Sequence, residues 1–155
     1  MTTPTTSSSN QAVTIKRLFS RTTSVAVDIA APPEVIWSRL TDAKGMPSWN
    51  SSIVELSGSI APGETIHLRS TLAPKRTFHL KVKQFEPPSL LSWGDAMGTR
   101  TYQLTPQTDG QTRVSMTERI GGPLFPLFAK LIPSFDDAFN QFAADLKSTC
   151  EQAAA

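Results

Sequence analysis

The sequence predicts an α+β fold in which an antiparallel sheet of seven strands carries its helices on one face. Three observations predict it. Val25, Val27 and Ile29 alternate with Ala26 and Asp28, the period of a strand with one buried face. From Ser52 to Ile120, short runs are separated by proline and glycine, the punctuation of successive hairpins. From Leu124 to Cys150, apolar residues including Leu124, Leu127, Phe128, Leu131, Phe135, Phe139, Phe142 and Leu146 recur at helical spacing and draw one stripe.

In chain order, residues 1–12 are Thr- and Ser-rich, too polar to bury themselves, and are expected to form a flexible tail; residues 13–155 make one domain. Val13 to Arg21 is mildly basic and either extends the first strand or packs loosely. The strand Ser24 to Ile29 follows. Ala31, Pro32 and Pro33 open a short helix, Glu34 suits the positive end of its dipole, and Val35, Ile36, Trp37 and Leu40 form its inner side. Met46 to Ser51 is a loop or single turn carrying Trp49. Strands are then expected at Ser52 to Gly58, Thr65 to Leu72, Arg76 to Phe85, Leu90 to Gly94, Thr99 to Thr105 and Thr112 to Ile120. The closing stripe stays in phase across Pro133, where a mid-helix proline costs roughly 3 kcal/mol. One long helix with a kink is the expectation.

Composition narrows the function classes. A net charge of +2 with 18% charged residues, and basic residues scattered without aromatic interleaving, lacks the footprint of a nucleic-acid binder. The single cysteine, Cys150, excludes an internal disulfide and reads as a small apolar residue near a helix end. No apolar block suits a signal peptide or a transmembrane segment, so a soluble, cytoplasmic protein is expected.

Several segments in this order resemble a known superfamily. "VAVDIAAPPEVIWSRLTD" followed by "MPSWN", the strand end "FEPPSLLSW", the hairpin "TYQLTPQTDGQTRVSMTE" and the Gly121-Gly122 step into the last helix are together similar to SRPBCC proteins. These include the Bet v 1-like, START and bacterial polyketide cyclase/dehydrase-like groups. The resemblance spans about Ser24 to Gln152 and implies a helix-grip fold. Such a fold is a curved seven-stranded sheet wrapped around a long C-terminal helix, with two short helices after the first strand and a ligand cavity between. No cofactor is expected.

Strand alternation then sorts side chains into inward and outward sets. Ile66, Leu68, Ser70 and Leu72 share one parity, as do Phe78, Leu80 and Val82; His67 and His79 fall on the opposite, solvent-facing one. An inward histidine site for a metal is therefore not expected. With the last hairpin turning at Thr108 and Asp109, Leu104 lies opposite Val114, Tyr102 opposite Met116 and Arg100 opposite Glu118. This apolar face ends in an ion pair, which either orients a polar ligand group or is a rim pair of about 1 kcal/mol or less. Trp93 and Trp49 are candidates for wall or lid, or else core.

Two functions fit. In the first, a cavity lined by Leu68, Phe78, Leu80, Trp93, Tyr102, Met116, Phe128 and Phe135 takes up a small hydrophobic or amphipathic molecule, driven by apolar burial at about 25 cal/mol per Å². Trp49, Arg100 and Glu118 complete its candidate contacts. In the second, Glu118 or Tyr102 moves a proton in a polyketide cyclase/dehydrase-type reaction. For Glu118 that needs a raised pKa, which an adjacent Arg100 opposes. No residue is assigned a catalytic role.

Overall fold

The alternating segments pair into one sheet of eight antiparallel strands, seen in a computed structural model that describes residues 10–155. They are β1 (Val13–Lys16), β2 (Ser20–Ile29), β3 (Ile53–Ser57), β4 (Thr65–Ser70), β5 (Phe78–Glu86), β6 (Leu90–Gly94), β7 (Gly98–Pro106) and β8 (Thr112–Gly121). Their order is β1-β2-β8-β7-β6-β5-β4-β3, so the first long strand lies against the last. The count corrects the expected seven. Val13 to Lys16 neither extends the next strand nor packs loosely; it folds back on β2 as an edge hairpin, Val13 opposite Ser24. Val-Thr-Ile-Lys alternates as a strand should, but with no buried face: Val13 and Ile15 are 57% and 54% exposed. Residues 1–9 of the expected tail lie outside the described residues. Ala12, its last residue, packs against the core and donates its N–H to Asn140 Oδ1 at 2.6 Å.

Between β2 and β3 the chain makes two helices. Pro32 is extended and Pro33 opens α1 (Pro33–Thr41), whose Ile36, Trp37 and Leu40 are buried. Asp42 Oδ1 accepts the Gly45 N–H at 3.0 Å and turns the chain into α2 (Met46–Trp49), the expected single turn.

The C-terminal region departs from expectation. The stripe from Leu124 is not one kinked helix but α3 (Phe125–Phe128), a 3-10 turn at Ala129–Leu131, an extended step, and α4 (Asp136–Ala154). Ile132, just before Pro133, is extended (φ −90°, ψ 121°), because the proline ring clashes with a helical predecessor. A new helix then starts, with the Asp136 N–H directed at Ser134 Oγ and two aspartates in its first turn. Leu124, Leu127 and Leu131 continue the periodicity without packing; they are 63%, 80% and 83% exposed.

The 19 residues of α4 lie across the inner face of the sheet. Its C-terminal half is tied to β2 by Lys147 Nζ on the Asp28 carbonyl and Glu151 on the Ala30 N–H. Ile29, Ile36, Leu40, Leu91, Leu146 and Cys150 meet there with no exposure. Burial pushes the Cys150 thiol up to about 12, so it stays protonated and serves as packing.

Candidate functional site

Two bulges, between Ile53 and Glu55 in β3 and between Val82 and Gln84 in β5, interrupt the register on one side of the sheet. An extra residue in one strand bends and twists it, which curls this side relative to the regular β2–β8–β7 pairing. Beneath the N-terminal half of α4 the sheet encloses a cavity of about 350 Å³. Its walls are Leu68, Phe78, Leu80, Trp93, Met116 and Ile120 from the strands and Ala138, Phe139 and Phe142 from α4. Its mouth is set by three connections: Leu72, Ala73 and Arg76; Asp95 and Met97; and Leu131, Ile132 and Pro133.

One ion pair interrupts the apolar wall. Arg100 stands opposite Glu118 in the β7–β8 register and donates to it at 2.8 Å, each side chain 19% exposed. The guanidinium also lies over the Phe139 ring at 5.3 Å, and its Nε is buried without a hydrogen-bond partner. Burial works against the charge of Arg100, but Glu118 and Tyr102 outweigh it and hold its pKa above the ordinary arginine value. Burial pushes the Tyr102 hydroxyl up, against the pull of Arg100. The site thus presents an internally paired charge at the end of a greasy wall.

Eight of the sequence-derived candidates line this cavity: Leu68, Phe78, Leu80, Trp93, Arg100, Met116, Glu118 and Phe135. Three stand elsewhere. Tyr102 has the inward parity but is 1% exposed, packed between Trp93 (5.1 Å between ring centroids) and Phe142 (5.7 Å). Trp49 is a buttress rather than a lid; its ring lies 6.0 Å from that of Phe142 and its Nε1 is buried without a partner. Phe128 stacks edge-on against Phe125 at 5.8 Å, carried away from the cavity by the break after α3. Sequence reasoning missed Phe139 and Phe142 as walls because their stripe reads equally well as core. It missed Asp95 and Met97 because turns carry no parity, and Arg76, expected to open a strand, lies instead in the turn before β5.

The mouth is fixed from β2. Buried Arg21 donates to the carbonyls of Ile132 at 3.2 Å and Pro133 at 2.8 Å, and stacks over Phe135 at 4.7 Å. On the opposite, outer face His67 and His79 face each other across β4 and β5, Nδ1 to Nδ1 at 2.6 Å, as the alternation predicts.

The architecture recurs in solved structures. A START superfamily protein from Mycobacterium smegmatis superposes with a TM-score of 0.62 at 17% identity, covering 85% of this chain and 98% of that one. A protein from Nitrosomonas europaea gives 0.69 at 15%, covering 90% and 98%. CalU16 from Micromonospora echinospora gives 0.60 at 14%, covering 93% and 94%. At these identities the likeness shows the fold. No curated protein matches the sequence. The pattern described as polyketide cyclase/dehydrase and lipid transport matches residues 20–151, from the start of β2 into the last turns of α4, and the chain belongs to that family.

Proposed function

We propose that this protein binds a small hydrophobic or amphipathic molecule, lipid- or polyketide-like, in the cavity between sheet and α4. The observation that carries the reading is a mostly apolar space of about 350 Å³ with one convergent polar pair. Binding pockets span about 300–1,000 Å³ and combine apolar walls with a few placed polar groups. Apolar burial supplies affinity, and the Arg100–Glu118 pair receives a hydroxyl, carbonyl or similar group of the ligand. The eight sequence-derived candidates that line the cavity are the proposed contacts. A proton-transfer role for Glu118 fits less well, since its carboxylate is already engaged by the Arg100 guanidinium at 2.8 Å.

Native mass spectrometry of freshly purified protein tests this directly. A co-purifying mass lost on denaturation identifies the ligand class. Titration with long-chain and polycyclic compounds, read by tryptophan fluorescence with Trp93→Phe as the control, gives the second measurement. A flat response across a varied panel, with no co-purified mass, would remove the binding reading.

A further inference from the structure

The large apolar side chains left in solvent are not scattered. Of the ten among the described residues, Val13, Ile15 and Val54 belong to the two edge strands; the other seven gather at one end of the sheet. Leu18 and Phe19 lie on the β1–β2 turn, Leu72 and Met97 on two hairpin turns, and Leu124, Leu127 and Leu131 along the α3 segment. The β1–β2 turn, the turn carrying Met97 and the chain leading into α3 touch. Gly122 donates its N–H to the Phe19 carbonyl at 3.0 Å, and Gly121 to the Met97 carbonyl at 2.9 Å. The turns at the other end, 58–64, 86–89 and 107–111, carry none of these exposed apolar residues.

The same end is basic. Lys16, Arg17, Lys75, Arg76 and Lys130 are exposed there, none in an ion pair among the described residues. The nearby acids are Asp95, Asp136 and Asp137; Asp95 accepts two backbone N–H groups and Asp136 accepts the Thr14 hydroxyl. Between the β1–β2 turn and the α3 segment runs a second groove, about 430 Å³, with Lys16, Arg17 and Lys130 on its sides. Exposed leucines beside unpaired cations, with a groove among the cations roomy enough for a phosphate-bearing headgroup, match the chemistry of an anionic lipid surface.

We propose that this end of the molecule docks onto an anionic bilayer, Leu127, Leu131 and Phe19 entering the acyl boundary while Lys16, Arg17 and Lys130 meet lipid phosphates. Leu131 belongs both to this surface and to the cavity mouth, so docking seals the mouth against the membrane. Transfer of a ligand through the face rests on the binding reading above; attachment itself does not.

The test is co-sedimentation of the full chain with vesicles of phosphatidylcholine, with and without phosphatidylglycerol, at low and high salt. Expected is partition onto the anionic vesicles only, weakened by salt. Leu127→Asp with Leu131→Asp lowers it more than tenfold, and Lys16→Gln and Lys130→Gln lower it about fivefold each, the factor for about 1 kcal/mol per cation. Val54→Asp, on a distant edge strand, leaves it unchanged, and circular dichroism verifies the fold of each variant. No partition at low salt, equal binding to neutral vesicles, or indifference to the leucine changes would each overturn the proposal. So would a dimer in sedimentation equilibrium that Leu127→Asp dissociates, since the face is then an interface between two copies. Tryptophan titration in detergent-free buffer reports separately on the cavity, so the two readings fail independently.

Discussion

The two halves of α4 lie over one sheet yet meet different things. From Ala143 to Cys150 the helix packs against Ile29 and α1 with nothing left exposed on its inner side. From Phe135 to Phe142 the same stripe lines one side of the cavity. Helix periodicity is identical in both halves; the difference lies in the partner. β2 and α1 pack directly against one half, whereas β7 and β8, carrying Arg100, Met116 and Glu118, face the other across the cavity, beside the break at Pro133. A stripe therefore reports which side of a helix is buried, not whether the space beyond it is filled.

Stability and binding should separate along this helix. Leu146→Ala at the solid half is expected to destabilise the fold by about 2–5 kcal/mol while leaving ligand affinity nearly unchanged, as read by urea denaturation and fluorescence titration. Comparable loss of affinity would mean that the halves are not independent. At the hollow half, Arg100→Ala should lower affinity for a polar-headed ligand by about ten- to a hundredfold, from the loss of a charged hydrogen bond of about 1.5–3 kcal/mol, and leave a purely apolar ligand within about twofold. Pairing it with Glu118→Gln should restore stability that the single change removes, because no carboxylate is then stranded.

Enlarging side chains probes the gap itself. Ala143→Leu should cost about 1–3 kcal/mol by overpacking, whereas Met116→Trp grows into the cavity, costs less, and suppresses ligand uptake. Equal destabilisation by the two would argue that no gap exists. The smallest effect concerns the solid half's outer edge, where Arg113 holds the Asp28 carboxyl below the usual aspartate range. A depressed pKa means that this stabilisation is complete above about pH 4 and disappears as pH falls through the folded-state value. Asp28→Asn should therefore lower the thermal midpoint slightly at pH 7 and not at pH 2; an equal shift at both would point to lost packing instead.

The strand interiors were legible because alternation has two answers and one is apolar. That parity located Leu68, Phe78, Leu80 and Met116 inside and both histidines outside, and a turn centred on Asp109 places Arg100 opposite Glu118. Periodicity failed where it was not the deciding force. Leu124, Leu127 and Leu131 kept step with a helix that stops, although Pro133, Ser134 and the two aspartates after it already spelled a new N-terminus. Tyr102 shows the limit of parity: the inward side of a strand reaches core and cavity alike, and the neighbouring rings decide between them.

Arg21 holds the rim by two main-chain carbonyls, and a carbonyl is the same whichever amino acid bears it. Ile132 can thus be exchanged for another side chain, larger, smaller or more polar, without loosening the anchorage. The doorway can be retailored to a different guest while its frame stays put.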